Sequence, residues 1–257
     1  MAVQFVNIAD TGNDALRVGT MPPTLQNVSG ATMTCWVDLD SLPTPSIGDP
    51  SMGFSEFSIG GAPPATNSRF AFEVNNRPPG GSTARIRLIG RAQDTDGTGF
   101  TVSDDGTMTA GRAFIAASIN YQTGQQKIWI NGVLMNTAIN PAITTGNTSD
   151  TPTANAGIGT SDDGLSEFMN GRIEDLRIYN RVLSDDEVLT IFGCQGVDGI
   201  VFGLRSRYEL QSGPTNKLVS DLSAQDSGPV AQDAYVFNGS TPTYAPSIGP
   251  TFRRRLP

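Results

Sequence analysis

The chain contains no histidine. That single absence removes serine–histidine and cysteine–histidine nucleophile pairs, His-ligated zinc and imidazole general bases. Catalysis would be left to carboxylates, a lysine or an unusual nucleophile. Cysteine is scarce too, with only Cys35 and Cys194 in 257 residues. With no sign of secretion, the expectation is two buried free thiols rather than a disulfide. Charged residues make up only 16% of the chain, and the balance is acidic at −8. Such a chain lacks the attractive term that nucleic acids and anionic membranes require, so neither is an expected partner. No apolar run is long enough to span a bilayer. Residues 1–10 have neither the basic start nor the apolar centre of a signal peptide. The sequons at Asn27, Asn147 and Asn238 are accordingly expected to be chance matches.

What is abundant is turn-forming residues, with 29 glycines and 17 prolines alongside 37% hydrophobic residues. This is the composition of many short strands joined by turns. A length of 257 suits one large β-sandwich with a substantial core. Strand patterns recur along the chain: residues 31–38, the neighbourhood of Phe57 and Ile59, then 69–75 and 85–89. In the last two, Phe70, Phe72, Val74, Ile86 and Leu88 alternate with polar residues, so the apolar set faces inward. Residues 113–119 are nearly all apolar, as expected for a strand covered on both faces. Lys127–Ile130 and Val133–Thr137 flank Asn131-Gly132, the strongest short-range signal for a hairpin.

One helix is predicted. Ser184 and Glu187 have capping-box spacing, Leu183 and Val188 that of a hydrophobic staple, and Asp185 and Asp186 suit the positive end of the helix dipole. Val188, Ile191 and Phe192 form one apolar stripe, and Gly193 is the expected stop. Upstream, strict alternation over 173–179 puts Glu174, Leu176 and Ile178 on one face and Ile173, Asp175, Arg177 and Tyr179 on the other. After Cys194, Ile200–Leu204 could form a strand. Residues 211–257 are turn-rich and poor in apolar positions, expected to wrap the sandwich or leave it as an arm.

Three segments together resemble the laminin-G-like, concanavalin A-like jelly-roll superfamily. They are the strand Ala31-Thr-Met-Thr-Cys-Trp-Val37, the hairpin Lys127-Ile-Trp-Ile-Asn-Gly-Val-Leu134, and the closing strand and cap from Gly171 to Ser184. Many members carry a tryptophan–histidine pair where this chain has Gly111-Arg-Ala-Phe114. The resemblance implies an all-β, antiparallel jelly-roll sandwich over residues 1–194, with one short helix and a C-terminal extension over 195–257. Val219–Ser223, Gly239–Tyr244 and Arg253-Arg254-Arg255 are similar to endings of jelly-roll proteins in tailed-phage particles. By that analogy the protein is expected to be a non-catalytic virion component, a capsid-decoration or similar surface protein without a required cofactor, held by other virion proteins and by copies of itself.

Strict alternation places Glu174 and Asp175 on opposite faces, so they are not expected to act as acid and nucleophile of one site. Asp94, Asp96, Asp104, Asp105, Asp162 and Asp163 sit beside glycines in turns. Asp-Gly is a preferred turn pair, but such loops also offer hard oxygen ligands. Calcium is thus the one cofactor considered, with Asp162 and Asp163 as its candidate ligands because they precede the closing strand. The alternative function is glycan binding in a host-recognition fibre. It requires an exposed aromatic platform, for which Trp129, Tyr121 and Tyr179 are the candidates, although Trp129, which alternates away from Ile128 and Ile130, is rather expected to pack under a loop. Arg253, Arg254 and Arg255 read either as a solvated tail or as the contact of an arm with an acidic neighbouring subunit.

Overall fold

The structure is a computed structural model that describes residues 2–5, 7–8, 12–13, 16–18, 25–43, 51–58, 68–75, 84–93, 99–102, 108–143, 146–151, 155–160, 167–195, 197–208, 210, 234–236 and 243–245. The strands of the first half are β1 (Ala2–Phe5), β2 (Asn7–Ile8), β3 (Gly12–Asn13), β4 (Leu16–Val18), β5 (Gly30–Leu39), β6 (Ser51–Ser58), β7 (Ser68–Asn75), β8 (Arg85–Gly90) and β9 (Gly99–Val102). They are followed by β10 (Gly111–Asn120), β11 (Gln125–Ile130), β12 (Val133–Ile139), β13 (Asn155–Ile158), β14 (Gly171–Tyr179), β15 (Leu204–Tyr208), β16 (Ala234–Val236) and β17 (Thr243–Ala245). One α-helix, α1 (Asp185–Cys194), lies between β14 and β15.

Two large antiparallel sheets result, beside a small two-stranded sheet of β2 and β3. The larger runs β12-β11-β10-β5-β14-β1-β17, with β15 also paired to β14, and the smaller runs β16-β4-β13-β6-β7-β8-β9. Their inner faces meet in one core. Cys35, Ile115, Ile119, Ile128 and Ile173 come from the larger sheet, and Phe54, Phe70, Phe72, Val74, Ile86 and Leu88 from the smaller. The period-two patterns of β7 and β8 thus point where the sequence places them. The Asn131-Gly132 hairpin forms with φ of 52° and 77°, both positive as its two-residue turn requires.

The larger sheet is covered on its outer face as well. Trp36, Phe114, Ala116, Trp129 and Tyr179 project outward and are sealed by Leu183, Val188 and Ile191 of the helical segment. Phe192 stacks on Trp36 with ring centroids 5.7 Å apart, and Phe114 lies 5.3 Å from Trp36. The helix starts as its sequence dictates: Ser184 Oγ accepts from Glu187 N at 3.2 Å, and Glu187 Oε2 accepts from Ser184 N at 2.9 Å. Arg181 also bonds Glu187 and holds its carboxyl down to about 2.

Several local expectations need correcting. The helix runs through Gly193 and stops at Gln195, which adopts the left-handed conformation at φ 49° and donates its N–H to Ile191 O. Of Ile200–Leu204, only Leu204 is in a strand, as the first residue of β15, and the residues before it form the turn that leads there. Cys194 is exposed, and only Cys35 is buried, with burial pushing its thiol up. The faces of β14 are also reassigned. Asp175 takes φ 53° and the register with β5 slips between Glu174 and Arg177. This β-bulge inserts one residue and reverses the alternation beyond it. Ile173, Leu176 and Ile178 therefore share the core face, while Glu174, Arg177 and Tyr179 share the outer one. Within the C-terminal region, β15 pairs with β14, β16 with β4 and β17 with β1.

Candidate functional site

None of the three aromatic residues chosen from sequence forms a platform, since Trp129, Tyr121 and Tyr179 are all fully buried. Trp129 lies under the helical layer. The Tyr121 hydroxyl donates to Arg69 O at 2.9 Å inside the core. The Tyr179 hydroxyl donates to Ile200 O at 3.0 Å. Trp129 does alternate away from Ile128 and Ile130, but a second layer covers that face, and Tyr179 shares it only because the bulge in β14 separates it from the face of Ile173. Asp162, Asp163, Arg253, Arg254 and Arg255 lie outside the described residues. So do Asp94, Asp96, Asp104 and Asp105.

The exposed site is built where β14 hands the chain to α1 and receives it back. Thr32 Oγ1 donates to Arg181 O at 2.8 Å and accepts from Leu183 N at 3.0 Å, fixing the exit turn to β5. Below the return segment lies a buried charge network. Arg177, only 2% exposed, bonds both oxygens of Asp175 and donates to Asp198 Oδ1 at 2.9 Å. Arg207 Nε donates to Asp175 Oδ1 at 2.7 Å. Burial alone would lower the Arg177 value, but Asp175 and Asp198 hold the guanidinium firmly charged. Asp198 also accepts from Ile200 N at 3.0 Å, so the network ties the return segment to the sheet.

The turn that follows has little choice about what it exposes. Leu204 N donates to Val201 O at 3.1 Å, and Asn180 N donates to Gly203 O at 2.9 Å. Gly203 has φ 76°, and a Cβ there would meet the Arg181 side chain at 2.9 Å. With Gly203 pressed on Arg181 and Leu204 buried, Phe202 is turned outward and is 79% exposed. It is the only aromatic among the exposed large apolar side chains of the described residues. The Arg181 guanidinium lies 5.2 Å from its ring centroid, and Arg181 Nε donates to Phe202 O at 2.7 Å. In the carboxamide orientation that satisfies both of its ends, Asn180 donates to Gly203 O and accepts from Arg205 Nε at 3.0 Å and Nη2 at 2.7 Å. An apolar ring framed by oriented polar side chains is what a sugar requires. Sequence reading missed Phe202 because one phenylalanine in an apolar run carries no sign of exposure.

A second polar cluster lies on the smaller sheet. Glu73 of β7, 2% exposed, is bonded by Arg87 of β8 and lies against the Glu167 carboxyl, which accepts from Ser51 Oγ at 2.8 Å. Burial and Glu167 raise Glu73 well above the ordinary carboxylate range, outweighing Arg87. Two carboxyls in hydrogen-bond contact lack the separation of roughly 5 Å or more that glycoside hydrolysis uses. The cluster has a consequence for stability. Because the folded state holds the Glu73 proton more tightly, its contribution is full below pH about 4.5 and lost as pH rises toward the folded value. Glu73→Gln should therefore flatten the pH dependence of the melting temperature over that range and raise stability at neutral pH. An unchanged slope from pH 4 to 8 in thermal melts would contradict the assignment.

Residues 10–189 match the family model described as the concanavalin A-like lectin/glucanases superfamily. The chain belongs to this superfamily. No curated protein sequence matches it. Among solved structures, the concanavalin A-like fold here is similar to a heptameric SAP-like pentraxin from Limulus polyphemus, at 15% identity and TM-score 0.55 over 76% of this chain and 83% of that one. A proposed carbohydrate-binding protein of Bacteroides ovatus aligns at 13% identity and TM-score 0.59, covering 94% of this chain and 59% of that one. The CBM40 of the Ruminococcus gnavus IT-sialidase, bound to α2,3-sialyllactose, aligns at 16% identity and TM-score 0.55 over 75% of this chain and 97% of that one. Identities this low establish the common fold alone.

Proposed function

We propose that this protein is a non-catalytic glycan-binding module whose saccharide rests on the face of Phe202. The observation that carries the reading is that ring, 79% exposed and framed by Arg181 and Asn180 on a turn pinned to the sandwich. A sugar's C–H face gains apolar contact with the ring, while its hydroxyls find the polar neighbours. The fold relatives support the reading, since the Ruminococcus module is a sialyllactose binder. They favour it over the particle-decorating role expected from the tail.

A glycan array of wild-type protein and Phe202→Ala tests it. The expected result is saturable binding by wild type and a loss of about tenfold or more in the variant, from the missing stacking area. The side chain is exposed, so the melting temperature should hardly change. Unaltered binding by Phe202→Ala, or a blank array with folded wild-type protein, would overturn the reading. Repeating the array in chelator tests the calcium expectation for Asp162 and Asp163, which predicts loss of binding.

A further inference from the structure

Resting on the glycan reading, we infer that the Phe202 corner selects acidic saccharides: the sugar's apolar face lies on Phe202 and its carboxylate pairs with Arg205. The argument begins with how the neighbouring cations are used. Arg177 is matched to Asp175 and Asp198, Arg207 to Asp175, and Arg181 to Glu187 through two bonds of 2.6 and 2.7 Å. Arg181 also spends its Nε on Phe202 O. Arg205 differs: its guanidinium meets the neutral Asn180 carboxamide and is matched to no carboxylate of the described residues.

That contact orients Arg205 without neutralising it. Asn180 Oδ1 takes Nε and one Nη2 hydrogen, and the remaining N–H groups bond no carboxylate among the described residues. A planar guanidinium already held by a neighbour loses little freedom when a carboxylate docks, and the resulting pair is charge-assisted. Asn180 also joins the cation to the platform. Its backbone N–H and its carboxamide both bond Gly203 O, and Gly203 directly follows Phe202. The ring thus sits on the turn that leads into β15 and the unmatched positive charge on the second residue of that strand, both tied to Asn180, the combination that fits an anionic sugar rather than a neutral one. Charge complementarity likewise separates this occupant from an apolar peptide, which would use the ring and leave Arg205 unpaired.

The test compares glycans that differ only in the carboxylate: sialyl- and glucuronyl-terminated glycans against their methyl esters, titrated by fluorescence polarisation. Wild-type protein should bind the acids at least tenfold more tightly than the esters, with affinity falling as salt is raised. Arg205→Gln should lower acid binding to the level of the ester and leave ester binding unchanged, while Arg205→Lys should fall between. Equal binding of acid and ester by wild type would overturn the inference while the glycan reading stands. Acid selectivity that survives Arg205→Gln would overturn it too. Failure of acid and ester alike, with neutral glycans also unbound, would overturn both. Circular dichroism of each variant confirms that a loss of binding is not a loss of fold.

Discussion

Arg177→Met is expected to destabilise the protein by about 3–5 kcal/mol, the cost of removing one partner from a buried ion network. Arg177 is 2% exposed and holds Asp175 and Asp198 together. Methionine keeps much of the apolar stem but strands Asp198 with backbone amides, that of Ile200 and its own, as its remaining donors. Arg207 still reaches Asp175, so the damage should centre on the return segment at 198–200. Adding Asp198→Asn should recover part of the loss, because the orphaned charge disappears. Burial would raise Asp198, but the Arg177 bond and charge hold its carboxyl below the ordinary range. Its contribution is therefore present above the unfolded value and lost as pH falls through the folded one. Urea titration at neutral pH measures the effect. A loss below about 1 kcal/mol would show that Arg177 is not holding two desolvated carboxylates.

Gly171→Ala should be nearly as damaging, at about 3 kcal/mol or more, through strain and overpacking together. Gly171 opens β14 with φ 148°, a backbone region that side chains rarely adopt. A Cβ there would sit 2.3 Å from Asp38 O and 2.9 Å from Leu39 Cα. Those atoms are main chain of β5, and Gly171 is paired in register with Leu39 at the middle of the larger sheet. No rotamer change relieves such a clash, so two central strands must move apart. Thermal unfolding should show a large fall in melting temperature. Gly193→Ala is the control, since its Cβ would meet nothing within 4 Å, and it should be neutral or stabilising. Similar melting temperatures for the two variants would refute the steric argument.

The candidate site was far less legible in the sequence than the sandwich. Trp129 alternates away from Ile128 and Ile130 as read, yet whether such a residue meets solvent depends on what lies over the sheet, and Tyr179 joins it there only through the bulge in β14. Here Val188 and Ile191 come down on them. Phe202 reads as one more core residue, and it is exposed because Gly203 is pressed on Arg181 while Leu204 is buried. Arg205 cannot be distinguished by sequence from Arg177 or Arg207, since having or lacking a carboxylate partner is settled by which strands meet. The bulge at Asp175 was equally hidden. Aspartate tolerates positive φ, but nothing in the pattern demands it there.

By itself, the sequence determined what short-range physics controls: the inward faces of β7 and β8, the Asn131-Gly132 hairpin, and the capped start of α1 at Ser184. Each depends on residues within a few positions of one another, where side-chain period and backbone preference act directly. Only the tertiary structure decided the reversal of faces in β14, the layer over Trp129, the pairing of β16 and β17 with strands more than two hundred residues earlier, and the isolation of Phe202 and Arg205. Those depend on contacts between distant segments, and their energies exist only once the sheets have closed.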